Sequence, residues 1–570
     1  MPTLRVSSGH SSYLLPASHR EGVAGVSLPY HSVSCPGLFY RTSARDGILS
    51  RIRIPGGILA SQQCRVIADL ADEFGTGYVH ITNRANLQVR EIRKEMTADV
   101  LRVLQEIGIA SSLPEVDHLR NIMGSPTAGI DPYELIDTRP FIRELDNYIA
   151  THAELAPLSP KFSVAFDGCG SVSIGDRLND IALTAVMVGT NVYFRLKLNL
   201  GVSQVEPFID TGILLKPEEC LEVVAALAKV YLQHLAVGTG KIIPHRKSRQ
   251  PRLWQVLNDL GIERFCQEVE HHLPYRLRRV YPIWGDDQIR QHRCKDVAYN
   301  ISTINRYQHI GVHPQRQKGL SYIGVVLAVG KLETWQMRGL ADIAETYGSG
   351  TLRLTPWQNL LISDIPHQSV PQAQSQIENL GLHWSATNIR SALVACAGNT
   401  GCASSATDTK GHALALAEYL GDSVPEGGAL HSALLRKRKA QAPPTRSVSD
   451  RRSADRLTLD QPVNIHFTGC EKSCAQHSRS DIALLGVSIE QEGKTVEGYK
   501  IYVGDGDSNE KFGRELYSLV SFPELCLLLE RMLQIYMAKR ATPNESFGEF
   551  ANRYAIEDLQ RLFEQGDVRH

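Results

Sequence analysis

Two stretches of the chain share one alternation of apolar and polar positions. GGILASQQCRVIADLADEFGTGYVHITNRANLQV, from Gly56, begins with an apolar side chain every three or four positions. It breaks at a Gly-x-Gly and then alternates. VGKLETWQMRGLADIAETYGSGTLRLTPWQNLLI, from Val329, repeats that pattern 273 positions later. A period near 3.6 followed by a period of 2 predicts a helix, a turn and a strand. Gly57, Leu59, Gln63, Arg65, Ala68, Asp69, Ala71, Gly75, Gly77, Thr82, Asn86 and Leu87 recur as the same residue at this offset. Such strand–helix–strand units predict two small α+β modules.

A second match follows each module. VAFDGCGSVSIGDRLNDIALTAV, from Val164, resembles IHFTGCEKSCAQHSRSDIALLGV, from Ile465, at an offset of 301. The second half therefore carries an insertion of 28 residues, the difference between the two offsets. RKRKAQAPPTRSVSDRRSADR, Arg436 to Arg456, is basic, rich in Pro and Ser, and almost free of large apolar side chains. It reads as a disordered, solvated surface loop. The expected organisation is a flexible leader (1–30), a first module (31–105) and a first large domain (106–300). A second module (301–390) and a second large domain (391–570), with a disordered insertion at 431–456, complete it. The fold class is α+β, a tandem duplication about a pseudo-two-fold axis with a cleft between the halves.

Composition narrows the function. The 570 residues are 42% hydrophobic and 21% charged, with 61 basic and 61 acidic side chains. A general nucleic-acid coat is not expected from this balance. The longest apolar run, Tyr322 to Gly330, is far short of the ~18 residues of a membrane span. The N-terminus lacks the apolar centre of a secretory signal, and a cytoplasmic location is expected. Eleven cysteines without a disulfide-scaffold pattern predict reduced thiols, with metal or redox use of the closely paired ones.

Those pairs are the strongest chemical signal. Cys396 and Cys402 are spaced C-x5-C, and Cys470 and Cys474 are spaced C-x3-C. Four thiolates suit zinc or an iron–sulfur cluster, and C-x5-C counts against a zinc knuckle. The small residues Ala397 to Gly401 allow tight turns and bring backbone N–H groups close to sulfur. By the two offsets the first half has Met123, Gly129, Cys169 and Ser173 at these places, so it has lost the site. It keeps cations instead: Arg84, Arg120, Lys161, and the run Arg246, Lys247, Arg249 and Arg252. Arg offers a fork that suits carboxylates, and Lys a point charge. Arg84 becomes Trp357 in the second half, so the fold of the repeat does not demand that cation.

The strings HITNRANLQVR, RNIMGSPTAG, SPKFSVAFDG and FTGCEKSCAQH resemble the sulfite/nitrite reductase hemoprotein superfamily over residues 35–555. The resemblance implies ferredoxin-like half-domains alternating with larger α+β domains of the iron–sulfur/siroheme type. It implies a [4Fe–4S] cluster on Cys396, Cys402, Cys470 and Cys474. SCPGLFYRTSARDGILSRIRIPGGIL, from Ser34, further resembles the opening of the precorrin-3B synthases. That branch implies O2-dependent hydroxylation and lactonisation of precorrin-3A in cobalamin synthesis, with a mononuclear non-haem iron beside the cluster. Arg84, Arg120 and Lys161 would then line one cleft and anchor the carboxylates of the tetrapyrrole. The alternative is a ferredoxin-dependent nitrite or sulfite reductase with siroheme. In it Cys474 bridges cluster and haem, and the same three cations bind the oxyanion. Sulfite reductases tend to have a second Lys where Ser163 stands here, which favours nitrite over sulfite within that alternative.

Overall fold

The computed structural model describes residues 37–39, 42–94, 96–175, 177–201, 208–238, 251–280, 309–420, 459–475, 480–491, 494–505 and 512–565. The expected leader and the insertion at 431–456 lie outside the described residues.

The first module contains β1 (Thr42–Ala44), β2 (Gly47–Ile52), β3 (Ile58–Ala60), β4 (Tyr78–Ile81) and β5 (Leu87–Ile92). The second contains β12 (Gly311–Pro314), β13 (Leu320–Val325), β14 (Lys331–Glu333), β15 (Thr351–Leu354) and β16 (Leu360–Pro366). Their antiparallel sheets run β1-β2-β5-β4-β14 and β12-β13-β16-β15-β3. Each module thus lends one strand to the other. Leu59 pairs with Leu352, and Leu332 pairs with Val79. The matching helices Ser61–Phe74 and Thr334–Tyr347 pack against each other across the same axis. Arg65 reaches Asp342 at 2.6 Å and Glu345 at 2.7 Å, and its equivalent Arg338 reaches Asp69 at 2.5 Å and Asp72 at 2.7 Å. These partly exposed pairs fix orientation more than they stabilise. The two modules share a single hydrophobic core.

The repeated residues recur because they make the same bonds. Gln63 caps Ala60 N and donates to Ile107 O, and Gln336 caps Glu333 N and donates to Leu380 O. Asn86 Oδ1 accepts from Ile54 N at 2.8 Å, and Asn359 Oδ1 accepts from Leu327 N at 2.8 Å. Gly57, with φ 73°, passes so close that a Cβ would lie 2.8 Å from Leu354 O. Gly330, with φ 71°, would place one 2.7 Å from Ile81 O. Only glycine fits where the halves cross in this conformation.

The large domains are built alike. β6 (Ile122–Gly124), β7 (Val164–Asp167), β8 (Ile181–Val188), β9 (Asn191–Asn199), β10 (Phe208–Leu215) and β11 (Arg278–Arg279) form the first sheet. β17 (Leu393–Ala395), β18 (Ile465–Thr468), β19 (Ile482–Gln491), β20 (Lys494–Val503) and β21 (Arg514–Ser521) form the second. In each, the first three strands are parallel and the next two antiparallel. Each domain has its own core.

The ladders correct one expected correspondence. Gly124 pairs with Phe166, and Ala395 pairs with Phe467. Leu135 N donates to Gly168 O, and Ala406 N donates to Gly469 O. Cys396 therefore stands where the first half has Ser125, not Met123, and Cys402 where it has Asp131, not Gly129. The link from module to domain is two residues shorter in the second half. No described helix is long and apolar enough to cross a membrane.

Candidate metal centre

The C-x5-C arm begins at the end of β17. Cys396 N donates to Phe467 O at 3.1 Å, and Gly469 N donates to Cys396 Sγ at 3.3 Å. The single turn Gly398–Gly401 delivers Cys402, whose N donates to Gly398 O at 2.8 Å. The C-x3-C arm is a turn after β18, closed by Ser473 N to Cys470 O at 2.9 Å. Ala406 N to Gly469 O, at 2.7 Å, ties the arms together. Thr409 Oγ1 lies 3.5 Å from Cys396 Sγ and donates to Cys396 O at 3.0 Å. Cys396, Cys402 and Cys470 are half-buried free thiols, and Cys474 is an exposed one. Cys169 is disulfide-bonded, an exception to the expected reduced thiols.

Cys396, Cys402 and Cys470 all fall within electrostatic reach of Cys474. Burial, and then the negative charges of Cys396, Cys470 and Cys402, push the Cys474 thiol up, while the Lys161 ammonium pulls it down. As a residue Cys474 is exposed, but its sulfur sits among enough protein for burial to lead. No three His, Cys, Asp or Glu side chains among the described residues form a group that could hold a metal ion. A tetrahedral zinc with Zn–S near ~2.3 Å needs its sulfurs only about 3.8 Å apart. Three thiols acting on Cys474, with a backbone N–H on the Cys396 sulfur, fit the thiolate and N–H···S surroundings of an iron–sulfur cluster.

The first half builds the equivalent loop without the cysteines. Asp131, opposite Cys402 in the repeat, accepts from Ser171 N at 2.7 Å, Tyr133 N at 2.9 Å, Ser171 Oγ at 3.1 Å and Thr127 Oγ1 at 3.1 Å. There a carboxylate organises the loop that carries the cysteines in the other half.

The cations separate into two kinds. Lys161 is exposed and acts on Cys474. Arg84 is half-buried, and its Nη1 donates to Asn179 Oδ1 at 3.0 Å. Its neighbour Asn83 donates through Nδ2 to Cys474 O at 2.7 Å, which docks the loop of the first module on the cysteine arm. Arg120 is different. It is 5% exposed, and its guanidinium meets Asp146 at 2.7 and 3.0 Å, Ile109 O at 2.6 Å and Gly108 O at 3.3 Å. That enclosure corrects the expectation that Arg120 lines a cleft: its fork is committed to the fold. Arg252 meets the buried Asp180 at 3.1 Å, and Ser163 Oγ donates to the same carboxyl at 3.2 Å. Burial pushes Asp180 up, and Arg252 and Arg84 offset part of that. Arg246, Lys247 and Arg249 lie outside the described residues.

In the second half, Trp357 takes the place of Arg84. It stacks on His309 with ring centroids 4.3 Å apart, and the Arg177 guanidinium lies 4.5 Å from its ring centroid. Asn83 escaped the sequence reading, although its equivalent is Pro356. The contrast that singled out Arg84 would have found it.

The family described as the nitrite/sulfite reductase ferredoxin-like half domain matches residues 42–107 and 313–380. The nitrite and sulphite reductase 4Fe-4S domain matches 115–277 and 386–568, the latter spanning all four cysteines. A ferredoxin–nitrite reductase of Leptolyngbya laminosa is 30% identical, over 83% of this chain and 83% of that protein. The chloroplastic ferredoxin–nitrite reductase of Zea mays is 27% identical over 84% of this chain and 77% of its own length. An assimilatory ferredoxin-dependent nitrite reductase of Haloferax mediterranei is 26% identical over 90% of this chain and 82% of its own length. The solved NirA protein of Mycobacterium tuberculosis superposes with a TM-score of 0.67 at 24% identity, covering 90% of this chain and 84% of that one.

These relatives overturn the precorrin-3B synthase expectation, and with it precorrin-3A, O2 and the mononuclear iron. The motif behind that expectation has a structural cause. Arg45-Asp46 is the hairpin turn before Gly47, its aspartate holding Arg90 at 2.7 Å, and Pro55-Gly56-Gly57 is the crossing between halves. Both serve the fold.

Proposed function

The chain belongs to the nitrite and sulfite reductase family and is an oxidoreductase; from that premise we propose that it is a ferredoxin-dependent nitrite reductase. The observation that carries this is the exposed Cys474, gathered with Cys396, Cys402 and Cys470 and flanked by Lys161 and the Arg84 loop. The four cysteines would hold the [4Fe–4S] cluster, and Cys474, the exposed one, would also face the siroheme iron. When bound, these groups pass single electrons from ferredoxin to an iron that carries the nitrogen through its reduction. The overall change is NO2− + 6 e− + 8 H+ → NH4+ + 2 H2O.

The chain's own residues bind and protonate. Arg84 and Lys161 supply positive charge for the anion and for the carboxylates of the macrocycle. Asn179 and Asn83 fix the loop that presents Arg84. The Lys161 ammonium, open to solvent, can hand a proton from Nζ to a departing oxygen and regain one from water. Ser163 is fully buried against Asp180, so it adds no second cation of the kind sulfite reduction would use.

The test is purified holoprotein. Siroheme Soret and α bands, iron for one cluster, and ammonia from nitrite with reduced methyl viologen are expected. Faster turnover of sulfite than nitrite, or the absence of haem bands, would overturn the reading.

A further inference from the structure

The two halves open matching helices with matching triplets. Asp137-Thr138-Arg139 leads into Arg139–Thr151, and Asp408-Thr409-Lys410 leads into Thr409–Tyr419. In the first half Arg139 folds back on its aspartate, with Nη2 to Asp137 Oδ2 at 2.8 Å and Nε to Oδ1 at 3.0 Å. In the second half Asp408 is used otherwise. Its Oδ1 accepts from Gly411 N at 3.1 Å, and its own N donates to Glu497 Oε2 at 2.7 Å. Lys410 turns inward, where Nζ donates to Val329 O at 3.1 Å, and no carboxylate among the described residues pairs with it.

Val329 is 1% exposed and holds φ 48°, ψ 32°. That left-handed conformation is rare for a β-branched residue. The first half has Gly56 at the equivalent place, with φ 68°. The strained residue of the metal-binding half is the one that offers its carbonyl to Lys410. Burial leads in pulling the Lys410 ammonium down to about 7, Arg90 and Lys331 add to that, and the negative charges of Cys396 and Asp408 oppose it. Arg90 is matched by Asp46 at 2.7 Å, and Lys331, also nearby, by Glu333 at 2.7 Å. Of these three cations, only Lys410 makes no carboxylate ion pair among the described residues, and its sequence neighbour Thr409 bonds Cys396 O at 3.0 Å, so its counter-charges are Asp408 and the cysteine site.

We propose that Lys410 is the charge-compensating residue of the iron–sulfur centre, a positioning residue that sets the cluster's reduction potential through its buried ammonium beside Cys396. This rests on the assignment of the cluster to the four cysteines. One electron from ferredoxin takes the cluster from its 2+ to its 1+ core, so four thiolates raise the net charge from 2− to 3−. A fixed cation nearby stabilises the more negative state, one of the levers that tune such clusters. Salt does little to screen a charge held inside the protein.

The experiment is an EPR-monitored redox titration of the holoenzyme. Lys410→Gln and Lys410→Met should each reduce about tenfold less readily, a fall of about 59 mV for one electron. Lys410→Arg should keep the wild-type potential. Iron content should be unchanged, with at most a modest fall in Tm, since Val329 O loses its donor. Iron lost from both neutral variants but kept by Lys410→Arg at wild-type potential also supports the charge. An unmoved potential in fully loaded Lys410→Gln and Lys410→Met, or iron lost from all three variants, overturns the proposal. Wild-type protein without a cluster signal would instead overturn the cysteine assignment.

Discussion

Arg120 and Lys161 are both cations of the metal-free half, and they should fail in opposite ways. Arg120→Met leaves Asp146, bound by two bonds of 2.7 and 3.0 Å, without its partner, and strips Ile109 O of a 2.6 Å donor. Asp117, 1% exposed, loses the guanidinium 3.7 Å away. Breaking one side of a buried pair costs about 3–5 kcal/mol. At roughly 2–4 °C per kcal/mol for a domain of this size, the unfolding transition should drop by about 6–20 °C. KM for nitrite in the folded fraction should stay near wild type. Adding Asp146→Asn should recover part of the loss, because it removes the orphaned charge. Lys161→Ala is the mirror image. An exposed lysine contributes within about 0.5 kcal/mol to stability, so the Tm should hold. Loss of a charge-assisted contact of about 1.5–3 kcal/mol should lower kcat/KM for nitrite by roughly 10- to 150-fold. Calorimetry and steady-state kinetics on both variants decide. Arg120→Met with a wild-type Tm and a raised KM would refute the reasoning.

Glu134 offers a pH test. Its carboxylate accepts from Gly129 N at 2.8 and 3.0 Å and from Arg316 at 3.0 Å, and burial leads in pushing its pKa from 4.5 up to about 7. Because the folded value is raised, ionisation opposes folding. Stability is greatest below 4.5 and falls as pH rises toward about 7, by up to about 3 kcal/mol. Glu134→Gln should flatten the Tm profile between pH 5 and 7.5, and an unchanged slope would count against the assignment. Gly57→Ala should destabilise more than Gly189→Ala. Both force a left-handed alanine, at about 1–2 kcal/mol, but Gly189 has nothing within 4 Å and Gly57 meets Leu354 O at 2.8 Å. Equal unfolding midpoints in denaturant would contradict the crossing.

Much of the fold was legible because the chain is its own comparison. Gln63 and Gln336, or Asn86 and Asn359, bond backbone groups of the same identity, so packing retained them and the repeat surfaced. Chemistry showed itself where the copies diverge, as at Arg84 and Trp357 or at the four cysteines. Charge type alone misled at Arg120, since a cation that closes a core and one that faces a ligand look identical in one dimension. Asp146 lies 26 residues away, and nothing in the local pattern ties it to Arg120. The correspondence of Cys402 with Asp131 needed the ladders, because a two-residue difference between domains moves no apolar period. Lys410 was invisible for a similar reason: its triplet gains meaning only beside Asp137-Thr138-Arg139.

The strand exchange also sets a timetable for biosynthesis. β4 cannot complete its pairing until Lys331–Glu333 has been made, well over two hundred residues after Tyr78–Ile81. At about 5–20 residues per second, the edge of the nascent sheet waits on the order of 12–50 s for its last strand. During that interval Val79 and its neighbours present unsatisfied backbone and apolar surface, the setting in which a chaperone is wanted. A genetic cut between the halves would yield two fragments that each lack an edge strand, so activity should return only when both are produced together.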